Sequence, residues 1–149
     1  MTERMSACKK GPVVAKNIMT REVISVSEDT PVLEAIRLMV DNKITGVPVV
    51  EDDMVLVGML SECDVLRLFH TYGDEGNRTV GDFMTQPAVH FEEDERLLDV
   101  CFHLRDHSIR RVPVTSNGKV TGVISRSDIL RYILQLSEQS AVRTAGKSG

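Results

Sequence analysis

Apolar residues recur along this chain in two rhythms. Val32, Ala35, Ile36, Met39 and Val40 fall at helical spacing behind Pro31, and Leu97, Leu98, Cys101 and Leu104 do so behind Asp94. Asp29 or Thr30 followed by Pro31 is a helix start signal, because proline suits a first helical turn. Shorter apolar runs bounded by turn residues predict strands over 47–50 and 55–60, and again over 112–115 and 119–124. Asn117-Gly118 between the last two is a strong hairpin turn. A short strand is expected ahead of each helix, over 23–26 and 88–91, and a closing helix over 61–70 and 125–136.

The two rhythms come twice in the same order. Ile18-Met19-Thr20 returns as Phe83-Met84-Thr85, and Glu28-Asp29 as Glu93-Asp94. ITGVPV from Ile44 returns as IRRVPV from Ile109, and GMLSECD from Gly58 as GVISRSD from Gly122. The spacing slips by a single residue between Val50 and Val57, where a turn can absorb it. The chain therefore reads as two copies of one unit, 13–72 and 78–136, joined near 73–77, with 1–12 and 137–149 as flexible termini. A small three-stranded sheet with two helices cannot cover its own apolar face. Two copies packed against each other can. That predicts an α/β (α+β) fold with pseudo-twofold symmetry and a cleft between the copies.

Composition narrows the picture. Aromatics are 4% of the chain and Trp is absent, so the core must be Val, Ile, Leu and Met. The net charge of −4 gives no general attraction to nucleic acid or to an anionic membrane, so any anion site must be local. No run is apolar enough to span a bilayer, and no signal-peptide core follows Lys9-Lys10, so a cytoplasmic chain is expected. Cys8, Cys63 and Cys101 match no zinc or CxxC spacing and read as buried or incidental thiols. His70, His90, His103 and His107 form no metal motif. His103 and His107 are four apart on a helix but lack a partner in register, and read as surface residues.

The chemistry-bearing segments are the two strand-to-helix turns. In each, a glycine precedes Ser-x-x-Asp, and the first helical turn offers free N–H groups to an anion. Ser61 and Asp64, or Ser125 and Asp128, could hold ribose hydroxyls. The same spacing is also a helix capping box. A second feature is Arg110-Arg111 before Val112-Pro113, where the first copy has Thr45-Gly46. Its alternatives are phosphate contact or a solvated surface pair.

The Met-Thr segment, the Val-Pro-Val strand and the Gly-h-h-Ser-x-x-Asp turn (h apolar), each present twice in register, resemble a pair of cystathionine-β-synthase-type (CBS) repeats over about 13–135. Nothing outside the pair resembles an enzyme, channel or transporter, so a stand-alone pair is implied. The resemblance implies a non-catalytic regulatory module that takes an adenine nucleotide such as AMP, ADP or ATP between the repeats, with no catalytic cofactor. It implies a first site of Thr45, Leu60, Ser61, Asp64, Ala88, Val89, Arg110 and Arg111. It implies a second site of Thr20, Val23, Ile24, Thr45, Gly46, Arg110, Ile124, Ser125 and Asp128. The arginines make the first site the phosphate-preferring one, while the second takes a less charged adenosine compound or nothing.

The family also implies a homodimer formed through exposed helices, and a regulated partner protein. The alternatives are a dimerisation module with vestigial sites, a binder of S-adenosylmethionine or NAD, and, last, a redox enzyme using Cys63.

Overall fold

The leading segment of the first copy forms only a 3-10 turn, Ala15–Asn17, before Val26 meets Val49 in a parallel bridge. The computed structural model describes residues 12–71, 77–107 and 109–148. The strand expected over 23–26 is thus reduced to one bridge. Helix α1 (Val32–Asn42) follows, with Pro31 as its N-cap residue and Lys43 left-handed behind it at φ 55°. Val32, Ala35 and Met39 are buried, whereas Val40 is 68% exposed. At about 100° per residue, Val40 stands roughly 80° round from Val32 and leaves the buried stripe. Strands β1 (Gly46–Glu51) and β2 (Val55–Ser61) pair antiparallel. The copy closes with α2 (Glu62–Val65), which tightens at once into a 3-10 run, Leu66–Thr71, in place of the continuous helix expected there.

The second copy contains α3 (Val80–Phe83), β3 (Phe91–Glu92), α4 (Leu97–Asp106), β4 (Arg111–Ser116), β5 (Lys119–Ser125) and α5 (Arg126–Ser148). β3 pairs parallel with β4 through Phe91 and Val114, the counterpart of the Val26–Val49 bridge. In α4 the buried stripe is Leu97, Val100 and Leu104. Leu98 lies outside it, half exposed, because the core takes positions three and seven beyond Leu97. α5 runs on to Ser148, through the tail expected to be flexible. The stretch 137–145 has neither proline nor glycine, so a helix nucleated at Ser125 meets no breaker there. Residues 1–11 of the expected N-terminal tail, and most of the linker, lie outside the described residues.

The strands form one sheet in the order β1-β2-β5-β4-β3. The two hairpins join at their tips, where Val55 pairs with Lys119 and Leu56 N–H donates to the Gly118 carbonyl at 3.0 Å. The first hairpin turns through three residues, Asp52–Met54, and the second through two, Asn117-Gly118, both at positive φ. This extra turn residue is the slip in the repeat.

Pseudo-twofold symmetry shows in contacts that come in pairs. Val14 bridges Arg96 as Thr79 bridges Pro31, and Thr20 bridges Val123 as Thr85 bridges Met59. Each leading segment therefore crosses to the other copy. Val80 and Phe83 complete the core of the first copy around Val32, Val47, Val49 and Leu60. Ala15 and Met19 complete that of the second around Val100, Val112, Val114 and Ile124. The motif glycines are what let them in. A Cβ on Gly58 would stand 2.7 Å from the Thr85 carbonyl oxygen, and one on Gly122 would overlap the Met19 side chain.

Candidate ligand site

β2 leads directly into α2, and Ser61 sits at the junction in extended conformation as the N-cap. Its N–H and Oγ–H donate to Asp64 Oδ2 at 2.9 and 3.0 Å, and Asp64 N–H donates back to Ser61 Oγ at 3.3 Å. The capping box is complete. It uses only one carboxylate oxygen. Asp64 Oδ1 accepts from Thr85 Oγ1 at 3.2 Å, a residue brought in by the crossing segment. The helix behind is four residues long, so its dipole adds little, contrary to the expectation of a helix-end anion site.

Asp64 lies in a cleft of about 270 Å³ between the two copies. Ser61, Thr45, Gly46, Ala88, Val89, Arg110 and Arg111 line the same cleft. Seven of the eight residues expected for this site meet there. The eighth, Leu60, is fully buried. Side chains alternate along a strand, so Met59 and Ser61 face the cleft while Leu60 faces the core. Met59, Pro87, Ile109 and Pro113 supply further apolar wall, none of it foreseen. Met59 and Pro113 follow from the same alternation, one residue off the assumed phase. Pro87 and Ile109 are placed by loops, for which the sequence holds no such signal.

The two arginines differ. Arg110 is exposed, and its nearest acid is Glu62 at 4.0 Å on the cleft rim. Arg111 is half-buried, and its Nε is buried with no hydrogen-bond partner among the described residues. Burial pulls its pKa below the ordinary arginine value, partly offset by the charge of Asp128. Desolvated cationic N–H groups are costly unless an acceptor reaches them. Cys63 is exposed at the cleft, while burial pushes the Cys101 thiol up and makes it less reactive.

The second set of residues does not assemble as expected. Thr20 and Asp128 line a separate recess of about 320 Å³ with Asn17, Arg131, Tyr132 and Gln135. Ser125 caps its helix and binds Asp128 Oδ2 through N–H at 2.9 Å and Oγ–H at 3.2 Å. Ile124 is fully buried, on the same alternation as Leu60, and Ile24 packs against the first core. Val23 is half-buried and away from the recess. Thr45, Gly46 and Arg110 belong to the first cleft alone. Asp128 itself is only 7% exposed, and Arg131 closes on it.

His103 also departs from expectation. It is half-buried, edge-on to Phe91 with ring centroids at 5.6 Å and stacked on His107 at 4.1 Å. Burial and the neighbouring His107 hold its pKa below the usual histidine value, against a smaller pull from Asp106. No cluster of three or more metal-binding side chains occurs among the described residues. No helix described is long and apolar enough to cross a membrane.

The CBS domain family profile matches residues 15–71 and 80–135. YlbB of Bacillus subtilis is 32% identical over 129 residues, covering 86% of this chain and 84% of its own length. MJ1225 of Methanocaldococcus jannaschii is 30% identical over 118 residues, and there the match spans only 42% of the relative's length. Among solved structures, CBSX2 in complex with AMP has a TM-score of 0.74 at 30% identity, covering 83% of this chain and 98% of its own. CBSX2 from Arabidopsis thaliana scores 0.77 at 28% identity, covering 85% and 98%.

Proposed function

The chain belongs to the CBS-domain family, as a tandem pair of repeats, and from that premise we propose that it is a non-catalytic sensor binding an adenosine phosphate in the Asp64 cleft. The observation that carries this reading is one cleft lined by both the Ser61–Asp64 turn of the first copy and Arg110-Arg111 of the second. Asp64 Oδ1 would take a ribose hydroxyl, with Thr85 holding the carboxylate in place. The unpartnered Nε of Arg111 would meet a phosphate oxygen, with Arg110 swinging from Glu62 to join it. Ala88, Val89 and Met59 would enclose the base. The modest cleft favours a monophosphate, and the AMP complex of the relative CBSX2 supports the same choice.

Calorimetry with AMP, ADP, ATP, adenosine, S-adenosylmethionine and NAD tests this. AMP should bind saturably, and at a hundredfold excess over its Kd should raise the melting temperature by roughly 5–10 °C. Arg111→Ala should weaken AMP about tenfold or more and adenosine much less. Asp64→Ala should abolish both, and should also cost about 1 kcal/mol of stability through the lost cap. No binding across the whole panel would end the reading.

Assembly through the helices is favoured by a separate observation. Leu130, Ile133, Leu134 and Leu136 of α5 are all exposed and close together along one helix, leaving apolar side chains for a second copy to cover. We take the chain to be a homodimer through this face. Sedimentation should give twice the chain mass, and Leu134→Glu should give the monomer; a wild-type monomer at tens of micromolar would exclude it.

A further inference from the structure

The repeat places an arginine three residues after each motif aspartate, Arg67 after Asp64 and Arg131 after Asp128, and the two are used in opposite ways. Arg67 turns away from its aspartate. Its Nη2 donates to the Phe83 carbonyl at 2.7 Å, its Nε donates to the Asp64 carbonyl at 3.1 Å, and its guanidinium lies 5.4 Å from the centre of the Phe83 ring. Asp64 Oδ1 is left with Thr85 alone. Arg131 stays largely exposed but reaches over the recess to its aspartate. Its Nη2 forms a hydrogen-bonded ion pair with Asp128 Oδ1, the same oxygen that already accepts from Thr20 Oγ1 at 3.1 Å. With Ser125 on Oδ2, every face of that carboxylate offered to the recess is taken.

One sequence difference accounts for the divergence. The residue matching Phe83 in the first copy is Ile18, which has no π face on which Arg131 could lie. The cation thus settles on the aspartate in one copy and on an aromatic ring in the other.

We propose that Arg131 is an internal substitute for ligand, occupying Asp128 so that the chain binds a single nucleotide, at Asp64. This rests on the reading of the Asp64 cleft given above. The guanidinium donates to the oxygen that a ribose hydroxyl would need, and the second copy's recess lacks an arginine pair to draw in a phosphate, since Thr45-Gly46 stand in the matching positions. Ligand would have to displace this ion pair, with no arginine pair opposite to meet its phosphate.

Equilibrium dialysis and calorimetry with AMP and adenosine, on wild type and on Arg131→Met, decide it. Methionine keeps the apolar stem and removes the charge. Wild type should bind one equivalent of AMP. Arg131→Met should bind a second equivalent, at a site that takes adenosine about as well as AMP because no arginine pair reads the phosphate. Asp128→Ala on top of Arg131→Met should remove the second equivalent and spare the first. Two equivalents on wild type would overturn the proposal, as would a single equivalent on a folded Arg131→Met. If wild type binds none and Arg131→Met binds one, the occlusion stands and the Asp64 reading fails. If neither binds, both fail.

Discussion

Asp64 and Asp128 occupy the same motif, make the same capping box and accept from equivalent threonines, Thr85 and Thr20, yet one faces an open cleft and the other is closed by an ion pair. Local sequence decides the cap. What lies beyond the cap decides whether the second oxygen is free. His103 makes a similar point about titration. Its folded pKa lies below the ordinary value near 6.5, so between the two the unfolded chain binds more protons than the folded one. Its contribution to stability is therefore complete above the unfolded pKa and is lost as pH falls from about 6.5 through the folded value. The melting temperature should drop between pH 7 and pH 5, and His103→Leu should flatten part of that drop while keeping the packing on Phe91. An unchanged slope in the variant would assign the pH dependence to the carboxylates instead.

At the scale of elements, the β2–α2 and β5–α5 junctions carry both structure and site. Their glycines are places where the other copy's backbone presses in. At Gly58 the obstacle to a Cβ is the Thr85 carbonyl oxygen at 2.7 Å, and Thr85 is also the hydrogen-bond partner of Asp64. Gly58→Ala should cost about 1–3 kcal/mol and shift Thr85, weakening AMP as well. At Gly122 the nearest atoms belong to the flexible Met19 side chain, with the Thr20 carbonyl at 3.0 Å. Gly122→Ala should therefore be the milder change in denaturant unfolding, and a reversed order would contradict the packing described. The strands of the hairpins were legible because short apolar runs bounded by turn residues, Asn117-Gly118 above all, are local signals. The short strand at 23–26 was not, since a single parallel bridge to β1 leaves no periodicity to read.

Across the whole molecule, the crossing of the leading segments makes the two copies inseparable. The first core lacks Val80 and Phe83 if the chain stops at the linker, and the second lacks Ala15 and Met19 if it starts there. Burying a Val, Phe or Met side chain is worth about 1.5–3 kcal/mol, so losing these residues removes a large part of the margin of a sixty-residue unit. Residues 12–76 and 77–148, produced separately, should show no cooperative melting by circular dichroism, and mixing should restore it in part. A half that melts cooperatively alone would show that the crossing is dispensable. The same crossing builds the cleft, because it carries Thr85, Pro87, Ala88 and Val89 of one copy onto the Ser61–Asp64 turn of the other.

The repeat, the hairpins and the capping turns were determined by the order of residues, through patterns that act over a few positions and recur in register, whereas the meeting of Asp64 with the arginine pair of the other copy was legible only through the resemblance to CBS repeats. Which side of β2 faces the cleft, and so the exclusion of Leu60, depended on a phase that alternation alone leaves open until a neighbour covers one side. The closure of Asp128 by Arg131 was decided only in three dimensions. It turns on whether the residue that the crossing segment brings to the arginine, Phe83 beside Arg67 or Ile18 in the place facing Arg131, offers it a ring, and no local pattern carries that information.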